Sequence, residues 1–292
     1  MNIETLKIFC DVVETGSFSK AAVQNFVTQS AVSQQLRMLE EKYETRLLER
    51  SRRSVKLTPA GEIFYQGAKQ VLEDYQALER RLRETSGIVS GTVRVATIYS
   101  VGLHMLPPYV KTFIKRYPQA NIHLAYRRTN EVYAGCLAGT TDLGIVAFPV
   151  KNNQLEVLPF VKEKLILICN AEHPLAGGSR IAIERLNGEN FIGFDRDIPT
   201  RKAIDRIFKE QRIRVNYVME FDNIETIKRS VEAGAGISIV PDSTVQQEIR
   251  SGTLVDKPFT KTFWRSVGII YKKQHQLSLA AQKFIELLLE KH

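Results

Sequence analysis

The pattern of apolar residues changes once along this chain, at the short segment Ser-Gly-Ile-Val-Ser-Gly of residues 86–91. Before this segment the apolar positions follow helical spacing, whereas after it short β-branched or apolar runs alternate with helical stretches. We expect the two patterns to belong to separate hydrophobic cores. A chain of 292 residues is long enough for two or three domains. The change therefore predicts a helical N-terminal part followed by a larger α/β part.

Composition places the chain among soluble, core-forming proteins, with 43% hydrophobic and 25% charged residues. No apolar run approaches the roughly 20 residues that cross a bilayer, and the first residues form an amphipathic, acid-bearing pattern instead of a signal peptide. We therefore expect a cytoplasmic protein without a membrane partner. The cysteines Cys10, Cys136 and Cys169 share no metal or redox spacing, so we expect buried thiols, no metal site and no cofactor.

The net charge of +9 is a poor indicator of nucleic-acid binding, because most of the excess basic residues lie outside the helical N-terminal part. Residues 1–91 hold 13 basic and 12 acidic residues, which leaves 28 basic and 20 acidic residues in the remainder. The local arrangement of charges has to decide the question.

Residues 59–86 carry a heptad seam. Pro59 can begin a helix, and apolar residues follow at spacings of four and three, at Phe64, Ala68, Val71, Tyr75, Leu78 and Leu82. Such a seam predicts a helix that pairs with a second copy of the chain as a homodimer. A single helix lying on its own domain is the alternative.

A second helix is predicted from Thr28 to about Tyr43. Its apolar stripe consists of Val32, Leu36, Leu39 and Tyr43. Its opposite face carries hydrogen-bonding side chains and one cation, namely Thr28, Gln29, Ser30, Ser33, Gln34 and Arg37. These groups can bind base edges and phosphates, so the face is predicted to read DNA, with an ordinary solvated surface as the alternative.

The segments around this helix complete a winged helix-turn-helix. Ser17 or Ser19 can cap a short preceding helix, in which Ala21 and Ala22 permit close packing. Downstream, the run 47–57 resembles a hairpin with a basic tip, in a cluster that consists of Arg46, Arg50, Arg52, Arg53 and Lys56 against Glu49. A basic wing of this kind lies on phosphates or in the minor groove, so Arg50, Arg52 and Arg53 are predicted DNA contacts.

Residues 6–61 contain five short motifs at set distances from one another. They are Leu6-x-x-Phe9, Gly16-Ser17-Phe18-Ser19-x-Ala21-Ala22, Gln29-Ser30-Ala31-Val32-Ser33-x-x-Leu36-x-x-Leu39-Glu40, Leu47-Leu48-x-Arg50 and Leu57-Thr58-x-Ala60-Gly61. This pattern resembles the N-terminal signature of LysR-type transcription regulators. Tyr43-Glu44 and Leu47-Leu48 depart from the family's usual Leu-Gly and Leu-Phe, which affects local packing more than the resemblance.

The remainder contains eight predicted strands, at residues 93–97, 122–126, 143–147, 165–169, 191–194, 217–221, 237–240 and 267–271. Alternation with helices predicts helices on both sheet faces. The family resemblance continues more loosely here, through Leu106-Pro107, Phe113, Tyr117-Pro118, Leu137-x-x-Gly139-x-x-Asp142-Leu143-Gly144-Ile145, His173-Pro174-Leu175 and Gly234-x-Gly236-Ile237-x-x-Val240-Pro241. It implies a two-lobed domain like periplasmic binding proteins, with an effector held between the lobes.

The predicted fold class is therefore a multidomain α+β protein with a winged helix-turn-helix, a long linker helix and a two-lobed α/β effector domain. The predicted bounds are 1–58 for the DNA-binding domain, 59–87 for the linker helix and 88–91 for a hinge. Residues 92–161 and 266–292 form the first predicted lobe, which the C-terminal helix at 277–291 rejoins, and residues 162–265 form the second.

The predicted cleft lies beyond the carboxyl ends of strands, where open α/β sheets bind ligands. Ser100 follows the first strand, and Thr200 is predicted to cap a helix over 201–210. The two would face one another across an anionic effector, because free N–H groups at helix starts favour anions. The predicted walls are Val101, Thr129, Ala147, Phe148, Phe194 and Asn223. The alternative is that Ser100 and Thr200 are ordinary caps.

Other classes fit the sequence less well. Gly234-Ala235-Gly236 follows a helix and precedes a strand, which reverses the order of a dinucleotide loop, and the chain has neither a phosphate loop nor a nucleophile elbow, so we expect no enzyme. A solute-binding protein would need an export signal. A peroxide sensor of this family would need a cysteine pair beyond Cys169. A ligand-independent regulator with an unoccupied or self-filled cleft remains the alternative function.

The mechanism expected from these parts is a dimer that places two recognition helices in successive major grooves of a partly palindromic promoter. The family resemblance implies further association into a homotetramer and contact with RNA polymerase. A small organic or inorganic anion would change the spacing between the DNA-binding pairs by favouring one arrangement of the lobes.

Overall fold

The computed structural model describes residues 2–50, 55–84, 88–273 and 276–290. Its internal contacts divide the chain into two units, Met1–Gly87 and Ile88–His292. Each unit has its own core and is described separately. Among the residues described, no helix is both long enough and apolar enough to cross a membrane.

The first unit contains four helices and a small hairpin: α1 (Ile3–Thr15), α2 (Phe18–Gln24), α3 (Gln29–Lys42), β1 (Leu48–Arg50), β2 (Val55–Leu57) and α4 (Pro59–Glu84). Side-chain oxygens cap the first three helices at their N-termini, with Ser17 accepting from Lys20 N and Thr28 accepting from Ala31 N, as predicted. The helices pack around one apolar core that includes Leu6, Phe9, Val12, Ala21, Val32, Leu36 and Leu39.

The predicted stripe of α3 needs one correction. Val32, Leu36 and Leu39 are buried, but Tyr43 ends the helix as its C-cap and stays exposed. Its ring instead contacts Phe64 at the start of α4, with 5.5 Å between the ring centroids.

The heptad seam lies on α4, and its two halves differ. Phe64 and Ala68 pack on the core of the first unit. The later seam residues are 42–64% exposed, namely Val71, Tyr75, Leu78 and Leu82. The first half of the helix therefore packs on its own domain, and the four later residues form an exposed apolar stripe.

The second unit consists of nine strands and seven helices: β3 (Gly91–Thr97), α5 (Tyr99–His104), α6 (Pro107–Arg116), β4 (Ala120–Tyr126), α7 (Thr129–Ala138), β5 (Leu143–Ala147), β6 (Leu155–Cys169), β7 (Asn190–Phe194), α8 (Pro199–Glu210), β8 (Asn216–Phe221), α9 (Ile224–Glu232), β9 (Ser238–Pro241), α10 (Gln246–Ser251), β10 (Val255–Lys257), β11 (Phe263–Lys272) and α11 (Leu279–Leu289). These counts refer to the described residues and leave out short 3₁₀ turns.

Seven of these strands form one sheet in the order β10-β6-β11-β5-β3-β4, with β9 also paired to β6. β3 pairs in parallel with β4 and β5, whereas β6 and β11 pair antiparallel. β7 and β8 form a separate parallel pair. The unit has two large cores, one around Phe113, Ile145 and Phe284 and one around Leu167, Phe191 and Ile227. Two cores in one unit confirm the predicted two-lobed α/β architecture.

β6 and β11 run side by side from one lobe into the other. Their pairing extends from Leu155 opposite Lys272 to Leu165 opposite Phe263, with one irregularity between Val267 and Gly268. Both strands are longer than the predicted runs at 165–169 and 267–271. The added part of β6 has an apolar run at 157–161 that contains Pro159, a residue disfavoured within strands, and it ends in three charged residues at 162–164. The added part of β11 is short and contains Arg265 and Ser266.

The helix predicted at 201–210 begins earlier than expected. α8 starts at Pro199, its N-cap is Ile198, and Thr200 lies inside the first turn. Proline favours the first helical position because its φ is preset and it needs no N–H partner there. Thr200 is therefore not the cap, which corrects the sequence-based interpretation.

Candidate DNA-reading face and ligand cleft

The α3 face predicted to read DNA is open to solvent in the first unit. Gln29, Ser30, Gln34 and Arg37 are exposed and Ser33 is partly exposed. The Oγ1 atom of Thr28 accepts from Ala31 N at 3.2 Å and lies 2.9 Å from Ser30 Oγ. The start of the helix is therefore fixed while its side chains remain available for a partner.

The wing is attached to α3 through Glu40. Its Oε1 atom accepts hydrogen bonds from the backbone N–H groups of Leu47 and Leu48, at 2.9 and 3.1 Å. This contact gives a physical role to one residue of the N-terminal signature, because it positions the first strand of the hairpin. Arg50 ends β1, while Arg52 and Arg53 lie outside the described residues.

The return of the wing depends on Thr58 and Gly61. Thr58 Oγ1 donates to Arg46 O at 2.7 Å and accepts from Gly61 N at 2.9 Å. A Cβ atom at Gly61 would lie 2.0 Å from Leu47 O, so only glycine permits this approach of α4 to the wing.

Phe26, in the turn between α2 and α3, was missed by sequence reasoning. It is 96% exposed and has a φ of 55°, in the left-handed region that an aromatic residue rarely adopts. The preceding Asn25 fixes the turn by donating to Asp11 Oδ2 at 2.6 Å and to Ala21 O at 2.9 Å. The aromatic ring therefore projects into solvent three residues before the start of α3.

A cavity of about 600 Å³ lies between the lobes of the second unit. Six of the eight predicted effector residues line it, namely Ser100, Thr129, Ala147, Phe194, Thr200 and Asn223. Val101 and Phe148 do not. Val101 is packed in the core of the first lobe, and Phe148, with a φ of 49°, follows the end of β5 without reaching the cavity.

The first turn of α8 forms one wall of this cavity through Pro199 and Thr200. Arg201 holds this turn in place from behind. Its Nη1 atom donates to Phe194 O at 2.7 Å and its Nε atom donates to both carboxylate oxygens of Asp205 at 2.9 Å. Its Nη1 atom also binds Glu220, which lowers the pKa of that carboxyl group. The N-terminus of α8 is thus rigidly positioned at the cavity.

Arg265, on β11, is a second lining residue that sequence reasoning missed. Its side chain is 1% exposed, and its Nη2 atom donates to Ser100 Oγ at 2.8 Å. Glu163, on β6, lies 3.3 Å from its Nε atom, within ion-pair distance but without hydrogen-bond geometry. Burial lowers the pKa of Arg265 and Glu163 opposes that shift. A guanidinium nevertheless stays protonated in proteins.

Charged residues also line the cavity. Its lining includes Arg127, Arg128, Lys202, Arg265, Asp197 and Asp222. Arg128 contacts three aspartates of the other lobe, at 2.9 Å to Asp195, 3.4 Å to Asp197 and 3.5 Å to Asp222. Arg128 is paired with the two lining aspartates. Arg127, Lys202 and Arg265 remain, so the net charge of the lining side chains is positive.

A second contact joins the lobes at α5 and α9. His104 Nε2 lies 2.7 Å from Glu225 Oε1, and Lys228 Nζ lies 3.0 Å from the same oxygen. Burial acts against the ionised form of Glu225, but these hydrogen bonds outweigh it and lower the pKa of the carboxyl group. The lobes are therefore joined by two separate sets of polar contacts.

A helix-turn-helix with an attached wing, together with a two-lobed domain that encloses a cavity, defines a ligand-responsive, DNA-binding transcription regulator. Comparison with known families agrees. Residues 3–62 match the bacterial regulatory helix-turn-helix protein, lysR family, and residues 86–292 match the LysR substrate binding domain. The chain belongs to the LysR family.

Relatives and solved structures extend the likeness over nearly the whole chain. The chain is 30% identical over 291 residues to the HTH-type transcriptional activator CmpR of Synechocystis sp., covering 98% of this chain and 94% of CmpR. It is 28% identical over 249 residues to the HTH-type transcriptional regulator CysL of Bacillus subtilis, covering 85% of this chain and 83% of CysL. Full-length CbnR in complex with its target DNA has a TM-score of 0.72 at 25% identity, covering 99% of both chains.

Proposed function

We propose that this regulator recognises a partly palindromic promoter and responds to a small anionic metabolite bound between its lobes. The observation that carries the effector part is the cavity itself. It brings Ser100, Thr200 and the N-terminus of the twelve-residue helix α8 to one place. Unpaired N–H groups in the first turn of a helix favour an anion, and the remaining lining charge is positive.

The cavity volume argues against the alternative of a self-filled cleft. About 600 Å³ is within the range of small-molecule sites. The side chains that the structure describes leave this space open, even though two sets of inter-lobe contacts are formed. We therefore favour a regulator with an effector over a ligand-independent one.

On the DNA side, we propose that Thr28, Gln29, Ser30, Ser33, Gln34 and Arg37 contact bases and phosphates in the major groove. The basic wing at Arg50, Arg52 and Arg53 would contact the backbone nearby. We add Phe26, because its exposed ring precedes the start of the recognition helix, where side chains approach base edges. An apolar ring there can pack on a thymine methyl group or a sugar.

The exposed stripe on α4 supports a homodimer. Val71, Tyr75, Leu78 and Leu82 repeat at heptad spacing on the uncovered half of the helix, which is the pattern of a helix pair. Association of dimers into a tetramer and contact with RNA polymerase complete the proposed mechanism. The predicted domain bounds, 1–58, 59–87, 88–91, 92–161 with 266–292, and 162–265, are part of the same proposal.

Thermal unfolding of the full chain against a panel of small metabolites tests the effector proposal. The panel is weighted toward carboxylates, sulfur compounds and phosphates. A ligand at about 100 times its dissociation constant stabilises the domain that it binds by about 2.7 kcal/mol. We expect this shift to be reduced in Ser100→Ala and Thr200→Ala. A ligand that shifts all three proteins equally would argue against this cleft, and silence across the panel would favour a ligand-independent regulator.

A further inference from the structure

Arg265 is a buried cation that uses little of its hydrogen-bonding capacity. A guanidinium has five N–H donors, yet within the described residues Arg265 forms one hydrogen bond, from Nη2 to Ser100 Oγ. Its Nε atom is buried and has no hydrogen-bond partner, and within the described part of the chain Nη1 forms no hydrogen bond. Leaving such donors unsatisfied in the interior is costly, so this site is incomplete as it stands.

Glu163 is the nearby counter-charge, and it is also incompletely satisfied. Its Oε1 atom accepts a hydrogen bond from Ser243, while its Oε2 atom lies 3.3 Å from Arg265 Nε without hydrogen-bond geometry. Both side chains are at least nine-tenths buried. The two side chains are therefore close enough to neutralise each other's charge, but they do not form a hydrogen bond with each other.

Arg265 borders the cavity, but its Nε atom is fully buried beside Glu163, so the donors left for a ligand are those of the Nη atoms. Arg265 lines the cavity together with Ser100 and Thr200, one from each lobe. Thr200 is 3% exposed, and its hydroxyl forms no hydrogen bond within the described part of the chain. A ligand group that meets Arg265 here would therefore also meet two hydroxyl groups and the start of α8.

We infer that Arg265 is the residue that selects the charge and shape of the effector, by binding an oxyanion group of it, a carboxylate, phosphate or sulfate, with its free donors. This inference rests on the proposed effector function and adds a fixed cation that helix N-termini and hydroxyls do not supply. The planar guanidinium matches the oxygen pairs of these groups better than an ammonium does. Glu163 limits the affinity, because its negative charge competes with the ligand for the same cation.

Anion titrations of the full chain test the inference. The probes are sodium acetate, sulfate and inorganic phosphate, each against sodium chloride at matched ionic strength. The chain has one tryptophan, Trp264, which is next to Arg265 and gives a local fluorescence signal besides the thermal midpoint. The three anions distinguish carboxylate from phosphate and sulfate sources of the bound group.

The variants give opposite expectations. Arg265→Gln should weaken anion binding about 10- to 100-fold, since it removes a charge-assisted hydrogen bond. Glu163→Gln should strengthen anion binding. Arg265→Lys keeps the charge but lacks the planar guanidinium, so its anion affinity should lie between those of wild type and Arg265→Gln. Arg206→Gln is the matched control, because Arg206 is exposed on α8 and does not line the cavity. Sulfate and phosphate also stabilise proteins non-specifically, and that effect should be equal in all variants.

Equal anion responses in wild type, Arg265→Gln and Glu163→Gln would overturn the inference. So would a metabolite that binds the cleft with an affinity unaffected by Arg265→Gln and Arg265→Lys. In that second case the effector proposal would stand and only the role of Arg265 would fall. If Arg265→Gln fails to fold, Arg265→Lys and Glu163→Gln still give opposite expected shifts and keep the inference testable.

Discussion

Arg128 at the start of α7 reaches across the cleft to Asp195 at the end of β7, with 2.9 Å between Nη2 and Oδ2. Asp197 and Asp222 surround the same guanidinium. One cation of the first lobe thus holds three carboxylates of the second. Without this guanidinium, the three carboxylates of the second lobe would lose their counter-charge from the first lobe and would repel one another.

We expect Arg128→Ala to change lobe closure more than stability. These groups are solvent-exposed, so the thermal midpoint should move little. Hydrogen exchange should nevertheless rise in α7 and in residues 195–198. Arg127→Ala is the control, because Arg127 is an exposed neighbour whose guanidinium bonds only to the Tyr126 carbonyl among described residues. The same exchange profile in both variants would contradict the role assigned to Arg128.

Phe26→Asn should separate folding from DNA binding. Asparagine tolerates a φ of 55° better than phenylalanine, so the variant should gain about 1 kcal/mol of stability. Its affinity for promoter DNA should fall, because the exposed ring is lost. Val23→Asn serves as the control, since Val23 is exposed on α2 with a helical backbone. Denaturant titration and a binding isotherm measure the two effects, and unchanged DNA affinity in Phe26→Asn would remove Phe26 from the reading face.

Gln34→Ala and Arg52→Ala should affect DNA binding differently. Gln34 lies on the exposed face of α3, so its loss should reduce discrimination between specific and random DNA. Arg52 belongs to the predicted wing tip, and its loss should weaken binding to both DNAs. The slope of the logarithm of the binding constant against the logarithm of the salt concentration should fall in magnitude by about one. Binding isotherms at several salt concentrations measure both. Equal losses on both DNAs for both variants would contradict these roles.

Gly61→Ala and Gly67→Ala, on the same helix, should have opposite effects on stability. A Cβ atom at position 61 would collide with Leu47 O at 2.0 Å, whereas one at position 67 meets nothing within 4 Å. We expect Gly61→Ala to cost about 1–3 kcal/mol and to weaken DNA binding by displacing the wing. Gly67→Ala should stabilise by up to about 1 kcal/mol, because alanine favours helices. Denaturant unfolding tests both, and a stable Gly61→Ala would show that the wing can shift.

The thiols should not react in the folded protein near neutral pH. Burial raises the pKa of Cys10 to about 11 and that of Cys136 to about 12, while burial also raises the pKa of Cys169. A thiol reagent at pH 8 should label none of them until denaturant is added. Because these pKa values are higher in the folded state, their contribution to stability is complete below pH 9 and is lost as the pH rises above it. Rapid labelling of native protein would contradict this expectation.

Much of the DNA-binding domain could be predicted because its signals are local. Helical spacing identifies the buried side of α3, and the side chains opposite Val32 and Leu36 are exposed as expected. The prediction of Thr200 as a cap is wrong, because Pro199 takes the first helical position and Ile198 becomes the N-cap. That signal was present in the sequence.

The rest depends on contacts between distant parts of the chain. Arg265 and Ser100 are 165 positions apart, and nothing near either residue indicates that they meet. A basic residue close to a predicted buried strand was the one available signal for Arg265. The exposure of Phe26 likewise follows from how Asn25 binds α1, which residue spacing does not reveal.

The long pairing of β6 with β11, which has a single irregularity, has a mechanical consequence. Two hydrogen-bonded strands resist sliding along one another, so the lobes can change their relative orientation by twisting or bending this ribbon. The irregularity between Val267 and Gly268 is a natural point for such bending. Atoms close to the axis of a rotation travel a short distance and atoms far from it travel a long one. If the ribbon is the hinge, we expect Arg265, which is part of it, to move little as the domain opens and closes, and Arg128, far from it, to cover most of the displacement.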